Sequence, residues 1–465
     1  MKIRKYLSIA LALLLLILAA CAAETEVPVA TEPSSTAITE PPTAEAVMPL
    51  PEMTEPTEPE TLPQPTPITK VSTARIVATG DLLMHLPVIN SGLQRDGSYD
   101  FTSTFQYLAP YVTAADYGVI NLETTLAGTS YPYSGYPKFN CPDGIVTSAA
   151  AAGFDMLLTA NNHCNDTGTT GFNRTLQVIA ENGLVSLGTK ATIEEPDYQI
   201  VTLNGISLGL ICYTYTVPIE SGQPNVNGLP LTEDTASRIN LFDYENLDVF
   251  YARFQQQMDA MAEDGAEAVV LFIHWGEEYQ LTPNRYQKAM AQALCDLGVD
   301  VIIGNHPHVV QSLELLTASN NPNHRTICLY STGNALSNQR KGSVSALKTA
   351  HMEDGVLFSV TFARYSDGSV VLEDVDALPF WVYRKGSGGN RQYYLLPLDS
   401  ENRDNWQTLY NLNGETTALA NESWQRTMDQ LNVDLEELRS HLRQTALRPH
   451  SDFVISESDK KQKQE

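Results

Sequence analysis

The sequence predicts an α/β fold, a layered sandwich with mixed sheets, and three observations lead to this prediction. Apolar runs of strand length alternate with helical stretches between about positions 74 and 330. Several runs end in short polar blocks, which is typical of buried parallel strands whose ends meet at one edge of a sheet. Beyond position 355 apolar and polar residues alternate, which indicates antiparallel strands and therefore mixed sheets.

The middle of the chain supplies the elements of this fold. Strands are predicted at Arg75–Thr79, Tyr117–Leu122, Phe154–Thr159, Leu184–Leu187, Leu208–Tyr213, Ala268–Ile273, Val299–Ile303 and Thr326–Tyr330. The turn Asn204-Gly205 precedes the fifth strand and indicates a hairpin. A stripe of apolar side chains predicts a helix over Glu245–Asp264, and Gly298 is the expected end of a second helix over Arg285–Leu297.

The last third of the chain changes pattern. Val356–Ala363 and Val370–Val375 are predicted antiparallel strands around the turn Asp367-Gly368. Thr417–Leu442 is predicted to be helical, and four leucines at helical spacing are expected to dock it on the domain: Leu431, Leu435, Leu438 and Leu442. The main domain is therefore placed at 73–390, followed by a C-terminal helical appendage and disordered tail over 391–465.

The N-terminus, residues 1–21, predicts an exported and lipid-anchored protein. Three basic residues within the first five positions precede the apolar run Leu7–Ala20, which has the length of a signal peptide rather than of a spanning helix. The run ends in Leu-Ala-Ala-Cys21, which resembles a bacterial lipobox and implies cleavage before Cys21 and a lipid on its sulfur. An ordinary signal peptide and an uncleaved anchor are the alternatives. The expected location is extracytoplasmic, at the bacterial cell membrane.

Residues 22–72 predict a disordered tether. Ala22–Thr69 has no Lys or Arg, is rich in Glu, Thr and Pro, and lacks apolar periodicity, so it cannot bury enough surface to offset its ordering entropy. A binding role for this segment is the alternative. The chain carries a formal net charge of −26, which comes partly from this tether; the rest is also acidic and has no cluster of Lys and Arg, which argues against nucleic acid as a partner.

The cysteines do not follow the pattern of a disulfide framework, because five remain at irregular spacing after Cys21. Three lie in apolar segments and are expected to be buried thiols: Cys212, Cys295 and Cys328. Cys141 and Cys164 fall in predicted loops near the polar blocks, where a bridge between them is an alternative to two free thiols.

The polar blocks carry the chemistry that the sequence predicts. In chain order they contain Asp81, Glu123, Asn162, His274, His306 and His308. Carboxylate, amide and imidazole groups are the mixed oxygen and nitrogen ligands of divalent metals, and they fit Mn, Fe or Zn better than Ca. These six residues are the predicted ligands of one or two metal ions, and the pattern indicates metal-assisted chemistry on a phosphate ester or a related anion.

Each predicted ligand also has a structural alternative. Asp81 is otherwise the cap of a turn or helix, Glu123 is otherwise a salt-bridge partner, and His274 is otherwise a satisfied core histidine. His306 and His308 are two residues apart on a predicted extended segment with a proline between them, so both imidazoles are expected to point the same way.

Taken in order, the blocks resemble the CapA-type capsule synthesis family, which is allied to the calcineurin-like metallophosphoesterases. The residues that carry this resemblance are Gly80-Asp81, Asn121-Leu122-Glu123, Asn161-Asn162-His163 with Asp166 and Gly168, His274-Trp275-Gly276 with Glu278-Tyr279, His306-Pro307-His308-Val309 with Gln311, and Tyr330-Ser331 with Gly333-Asn334. The match runs from about Ala74 to Asn338. It implies a calcineurin-like metallophosphoesterase α/β/β/α sandwich with mixed sheets and a link to poly-γ-glutamate capsule formation.

The resemblance also implies roles for individual residues. Glu123 matches the carboxylate that bridges two cations, and Asn162 matches the metal-binding amide of the phosphoesterase Asn-His pair. His163 is then the catalytic residue that faces the substrate, with the help of Asp166.

Three residues outside the six predicted ligands complete the candidate site. The phosphoesterases carry Asp-x-His at the end of the first strand, whereas Asp81 is followed by two leucines. His85 is the nearest imidazole and is expected to contact metal or substrate, so a mononuclear site stays open. Glu278 and Tyr279 are expected to orient an imidazole N–H from outside the ligand set.

Two functions of different classes follow from this pattern. The first is a surface-anchored, CapA-like, metal-dependent phosphoesterase-type hydrolase or transferase in capsule or cell-envelope polymer metabolism. The alternative is a non-enzymatic accessory protein for the synthesis, export or anchoring of an anionic capsule polymer such as poly-γ-glutamate, in which the metal site binds polymer carboxylates or is vestigial. A purely structural surface protein is a third interpretation. The expected partners are the membrane, through the lipid, and the polymer or its synthesis machinery.

Overall fold

Two mixed sheets form the centre of the structure, a computed structural model that describes residues 67–219 and 222–446. The strands are β1 (Lys70–Leu82), β2 (Tyr117–Asn121), β3 (Met156–Leu158), β4 (Val185–Leu187), β5 (Tyr198–Leu203), β6 (Ile206–Thr216), β7 (Asn225–Val226), β8 (Leu229–Pro230), β9 (Leu241–Asp243), β10 (Ala268–His274), β11 (Val301–Asn305), β12 (Leu313–Thr317), β13 (Arg325–Leu329), β14 (Asn334–Leu336), β15 (Asp354–Tyr365), β16 (Val370–Lys385) and β17 (Gln392–Pro397). The helices are α1 (Leu86–Ser91), α2 (Thr102–Phe105), α3 (Ala109–Thr113), α4 (Gly144–Ala151), α5 (Gly168–Glu181), α6 (Glu233–Ser237), α7 (Leu247–Glu263), α8 (Arg285–Asp296), α9 (Trp406–Leu409), α10 (Gly414–Leu431) and α11 (Leu435–Ala446).

The strand order shows that both sheets combine parallel and antiparallel pairs. The larger sheet has the order β17-β16-β15-β1-β2-β3-β4, with β14 paired to β1. Strands β1 to β4 and β14 are parallel, and β15 to β17 are antiparallel. The second sheet has the order β12-β13-β11-β10-β6-β5, with β9 paired to β6, and only its edge strands β12 and β5 are antiparallel. The predicted mixed character is therefore confirmed.

Successive side chains of a strand point to opposite faces of its sheet, and the clusters that they join show how the layers are arranged. In β2, Val119 joins the apolar cluster between the sheets, whereas Ile120 joins a cluster under the helices of the outer face. In β10, Val270 faces the inner cluster and Leu271 faces the side covered by α7 and α8. Both strands are buried on both faces, which explains their continuous apolar composition. The predicted α/β/β/α sandwich is confirmed.

The predicted strands and helices are present with small shifts at their ends. The largest difference is in β16, which continues beyond its predicted end at Val375 to Lys385. Strand β1 also begins earlier than predicted, at Lys70, and pairs along most of its length with β15. Asn284 is the N-cap of helix α8 and forms a capping box with Gln287, and Gly298 lies two residues after the helix end with a φ of +96°.

The helical segment predicted near the C-terminus is two helices rather than one. Asn432 adopts a φ of +52° and ends α10, and α11 begins three residues later. Leu431, Leu438 and Leu442 are buried in the inner cluster, so the predicted docking through leucines holds across the break. Strand β17 lies within the segment 391–465 that was predicted as a helical appendage, and it joins the larger sheet.

Several predictions concern residues outside the described part of the chain. They are the signal peptide over 1–21 with the lipidated Cys21, the tether as far as residue 66, and the tail beyond residue 446. Among the described helices, none combines the length and the apolar composition needed to cross a bilayer. The remaining cysteines are described, and all five are buried free thiols.

Candidate metal centre

The candidate site lies where the carboxyl ends of the parallel strands of both sheets meet. In the larger sheet, Asp81 at the end of β1 is in register with Asn121 of β2 and with Asn334 of β14. Gly80 permits the close approach of β14, because a Cβ atom there would lie 1.8 Å from the carbonyl oxygen of Gly333. In the second sheet, His274 at the end of β10 is in register with the last residue of β11. The sheet edge thus gathers the polar blocks, as the sequence predicts.

The two sheets contribute different kinds of ligand atom. The larger sheet supplies oxygen atoms from Asp81, Glu123 and Asn162, and the second sheet supplies imidazoles from His274, His306 and His308. All six side chains are buried, with exposures of 4% or less. Charged or polar groups with so little access to water need partners within the protein or a bound ion.

Two sets of three residues are arranged so that each could hold one cation. The Asp81 trio consists of Asp81, Glu123 and His308, and the His274 trio consists of Glu123, His274 and His306. Within each trio, the candidate ligand atoms lie within 4.8 Å of one another. Glu123 belongs to both trios, which is the position that a carboxylate bridging two ions would take.

The distances in the Asp81 trio are those of a closed polar cluster. The Nδ1 atom of His308 donates to Asp81 Oδ2 at 3.0 Å and lies 3.9 Å from Glu123 Oε2. Asn121 donates through Nδ2 to the other carboxylate oxygen of Asp81 at 2.7 Å. Asn121 therefore fixes one carboxylate oxygen of Asp81, and the other oxygen faces the other members of the trio.

The His274 trio has an amide oxygen beside it. His274 Nε2 lies 3.6 Å from Glu123 Oε1 and 2.7 Å from Asn162 Oδ1. Two ligand atoms of one tetrahedral or octahedral ion with bonds of about 2.1 Å are about 3 Å apart, so Asn162 is placed where a fourth ligand would be. The imidazoles of His274 and His306 have ring centroids 4.8 Å apart.

The residues of the site fit a divalent cation because key polar atoms lack other partners. Among the residues that the structure describes, no group forms a hydrogen bond with either carboxylate oxygen of Glu123 or with the Nδ1 atoms of His274 and His306, and all four atoms are buried. Burial, reinforced by the charge of Asp81, raises the pKa of the Glu123 carboxyl well above its usual range. A cation at this position would offset the cost of burying that charge, and oxygen and nitrogen donors in this mixture suit Mn, Fe or Zn.

The imidazoles of His274 and His306 are held in the neutral form that binds metals. Burial lowers the pKa of His274 and of His306 well below the ordinary value, and neighbouring imidazoles add to the effect. Burial also disfavours the charged form of His308, but the hydrogen bond and the charge of Asp81 outweigh it and raise the pKa. Neutral imidazoles keep a lone pair for a metal ion, so His274 and His306 are ready ligands.

The His-x-His segment is not extended, contrary to the expectation from its spacing. Strand β11 ends at Asn305, and the backbone then turns with φ of +99° at His306 and +57° at His308. The two imidazoles consequently enter different trios. Tyr279, with φ of +64°, donates its backbone N–H to Pro307 O and packs its ring 5.9 Å from that of His308. Such backbone conformations in non-glycine residues carry strain and are concentrated at functional sites.

His163 lies beside the trios and belongs to neither of them. Its Nδ1 donates to Asp166 Oδ2 at 2.7 Å, and its Nε2 lies 4.0 Å from Glu123 Oε1. The ring packs edge-on against Phe139, with centroids 4.7 Å apart. One ring nitrogen is therefore anchored by a carboxylate and the other faces the trios, as the predicted substrate-facing role requires.

The remaining predicted residues lie around this centre. The His85 Nδ1 atom bonds to Leu83 O, and burial lowers the pKa of His85 to about 4. His85 belongs to neither trio of the described residues. Tyr279 accepts a hydrogen bond from Gln339, and the side chain of Glu278 is half-buried near it. The predicted orientation of an imidazole by Glu278 and Tyr279 stays a prediction.

Tyr215 and Asn227 were not predicted from the sequence. The Tyr215 hydroxyl lies 3.4 Å from His306 Nε2, which leaves Nδ1 of that ring for a ligand. Strand β6 continues to Thr216, beyond the predicted end at Tyr213, and the apolar run alone did not reveal this extension. Asn227 begins the two-residue turn Asn227-Gly228 between β7 and β8, a recognisable hairpin signal, but nothing in the sequence places that hairpin over the site.

Asn227 fixes the His163–Asp166 pair from across the cavity. Its Nδ2 atom donates to Asp166 Oδ1 and to Pro137 O, each at 2.9 Å. It also lies 3.2 Å from His163 Nδ1, but the two amide hydrogens serve the two oxygens, and His163 itself donates to Asp166. Asn227 thus orients the carboxylate that orients His163.

Asn227→Gly is expected to lower turnover about tenfold while the bound metal stays unchanged, because the hydrogen bonds to Asp166 and Pro137 are lost outside the ligand set. Glycine suits the φ of +49° at this position. Asn204→Gly is the matched control, since Asn204 also has a positive φ before a glycine in a hairpin turn. Turnover and metal content of both variants are measured; an equal loss in the control would assign the effect to turn stability.

Comparisons with known proteins cover the part of the chain that forms this site. The model of a family described as "Bacterial capsule synthesis protein PGA_cap" matches residues 75–339, a range that contains every residue of the two trios. The chain is 29% identical over 265 residues to the capsule biosynthesis protein CapA of Bacillus anthracis, which is 55% of this chain and 59% of that protein. It is 27% identical over 245 residues to the PGA biosynthesis protein CapA of Bacillus subtilis (strain 168), which is 51% of this chain and 57% of that protein. The chain thus spans less than two thirds of the length of these relatives.

Proposed function

The chain belongs to the bacterial capsule synthesis protein family, and from this premise we propose that it is a metal-dependent hydrolase or transferase of the phosphoesterase type that acts in capsule polymer metabolism. The family has a metallophosphoesterase-like fold, so the calcineurin-like sandwich predicted from the sequence is confirmed at this level. A role in capsule synthesis is what the names of its relatives support.

One observation supports the chemical part of the proposal most strongly. Glu123 is fully buried, has no hydrogen-bond partner in the described part of the chain, and lies in both trios of potential ligands. A solitary carboxylate in such surroundings costs free energy, whereas a carboxylate shared by two cations does not. As an ordinary salt-bridge partner Glu123 would need a nearby Lys or Arg, and its neighbours are instead His163, His274 and His308.

The residues of the chain divide the proposed reaction between them. A divalent metal held by the trios would polarise a phosphoryl or similar oxygen and lower the pKa of a bound water toward neutrality. His163 is anchored to Asp166 through Nδ1 and directs Nε2 toward the trios, where a hydrogen on Nε2 would be donated to a leaving oxygen. Asn227 and Asp166 hold this imidazole in one orientation, so it is not free to rotate away during the reaction.

The proposed location of the protein rests on the lipobox-like sequence that ends at Cys21. A lipid on Cys21 would hold the chain at the outer side of the cell membrane. An anionic capsule polymer such as poly-γ-glutamate, or the machinery that makes it, is the proposed partner. The chain itself carries a net charge of −26, so an anionic polymer needs local positive charge in order to approach.

The purified full chain, loaded in turn with Mn, Fe and Zn, is expected to hydrolyse at least one member of a panel of phosphomonoesters, phosphodiesters and phosphoanhydrides. Turnover should disappear after chelation and return with the metal, because the trios hold the group that activates water. The control is the Asp166→Asn variant, which should keep metal and lose part of the turnover. If the wild type binds metal but turns over no substrate of the panel, the accessory role in holding or exporting the polymer is the better assignment.

A further inference from the structure

A second concave site lies on the side of the molecule formed by α10 and the segment that leads into β15. It is a cleft of about 400 Å³, and its lining includes Lys341, Lys348, His351, Glu353, Trp381 and Arg426. None of these residues belongs to the predicted metal site or to the two trios. The cleft is therefore separate from the ligands of the metal centre.

The charges in the cleft leave two ammonium groups without a counterion. Arg426 forms a bidentate pair with Asp354, through Nε at 2.9 Å and Nη2 at 2.8 Å. Glu353 accepts from the backbone N–H of Lys341 and lies 4.0 Å from the Arg340 guanidinium. Within the described residues, the side chains of Lys341 and Lys348 are exposed and form no ion pair.

Glu422 is the other acidic residue of the cleft lining, and its charge does not cancel the charges of the two lysines. Glu422 lies 4.0 Å from Arg426 with a side chain that is 67% exposed, so water screens it. The two lysines therefore give the cleft a local excess of positive charge in a chain whose net charge is −26. Such a local reversal of charge concentrates anions that the rest of the surface repels.

His351 adds a neutral donor to the same cleft. Its Nδ1 atom lies 2.6 Å from the hydroxyl of Thr349, and burial lowers its pKa, with a further contribution from Arg426. In the tautomer that accepts the Thr349 hydroxyl hydrogen at Nδ1, the neutral imidazole carries its own hydrogen on Nε2. This N–H can donate to an oxygen atom of a bound anion.

The cleft and the metal centre share a wall. The Asn334 amide donates to the carbonyl oxygen of His308 at 3.2 Å and to the carbonyl oxygen of Met352 at 3.0 Å. Met352 directly follows His351 in the chain. Leu347 and Met352 pack against Val309, the residue that follows His308. The segment that carries Lys341 and Lys348 is thus packed directly on the segment that carries the metal-site histidines.

We propose that this cleft is an oxyanion-binding subsite that holds carboxylate or phosphate groups of a polyanionic chain next to the metal centre. The proposal rests on the proposed function for the identity of that chain, a capsule polymer. Lys341 and Lys348 supply the charge, and His351 supplies a directed hydrogen bond. The subsite holds one part of the polymer while another part reaches the trios.

The test measures the binding of two probes, poly-γ-glutamate and polyphosphate, to the full chain by titration calorimetry at low and at physiological salt. In the variant Lys341→Glu/Lys348→Glu, the affinity for at least one probe should fall tenfold or more. The matched control is Lys288→Glu/Lys385→Glu, which changes two exposed lysines elsewhere by the same total charge and should alter affinity less than about twofold. Thermal unfolding of both variants verifies that they fold.

Each outcome decides the proposal. Preferential loss in the cleft variant supports it, and the probe affected shows whether carboxylate or phosphate is the ligand. Equal losses in the two variants, or a wild type that binds neither probe, would overturn it. Binding is measured without turnover, so an inactive protein that still binds through the cleft would refute the proposed reaction and leave the subsite standing.

Discussion

The double variant His306→Ala/His308→Ala is expected to retain less than about one tenth of a metal ion per chain, because each trio loses one of its three residues. The single variants sharpen this expectation. His306→Ala leaves the Asp81 trio complete and should keep about half of the metal, and His308→Ala leaves the His274 trio complete and should do the same. Metal content per chain is measured by elemental mass spectrometry after dialysis against metal-free buffer.

The matched control for this experiment is His324→Ala, which removes an imidazole that contacts Val299 O and belongs to neither trio. Alanine keeps the Cβ atom of histidine, so the backbone strain at the positive φ angles of 306 and 308 is not relieved or increased by the substitution. Loss of metal with unchanged far-ultraviolet circular dichroism would confirm a ligand role. Full metal content in the double variant would show that the trios are not the metal-binding site.

His163→Ala is expected to keep its metal and to lower turnover by about a hundredfold or more, which is the usual effect of losing a general acid. The physical reason is the geometry of the ring, since Nδ1 is bound to Asp166 and Nε2 faces the trios without belonging to either. Asn162→Ala is the comparison variant. Its Oδ1 atom lies 2.7 Å from His274 Nε2, so it should weaken metal binding first and turnover as a consequence.

Metal content and kcat of these two variants are measured side by side under saturating metal. Excess metal should restore much of the turnover of Asn162→Ala and none of that of His163→Ala. If His163→Ala loses its metal instead, His163 is a ligand and the separation of roles between the neighbouring residues is wrong.

The parts of the fold that were predictable are those governed by local pattern. Continuous apolar runs marked β2, β10 and β11 because these strands are buried on both faces, and polar residues at their ends marked the sheet edge. The six predicted ligands come together for this reason, although they are spread over more than two hundred residues of sequence. The sequence could not show that oxygens come from one sheet and imidazoles from the other, since that depends on how the sheets pack.

The parts that were missed depend on tertiary packing or on backbone conformations that composition does not reveal. Asn227 reaches Asp166 only because the short hairpin of β7 and β8 folds over the site, and these two-residue strands are too short to give a periodic signal. The turn at His306 and His308 contradicts the extended segment inferred from their spacing, because positive φ values at histidine are rare and follow from the surrounding structure.

The metal content of the wild-type full chain, together with its thermal stability, tests the Glu123-centred site most directly. After loading with Mn, Fe or Zn and exhaustive dialysis, a carboxylate shared by two trios predicts about two ions per chain and a midpoint of thermal unfolding that falls when the metal is chelated. A chain that retains no stoichiometric metal, and whose unfolding midpoint is the same with and without each metal, would contradict it.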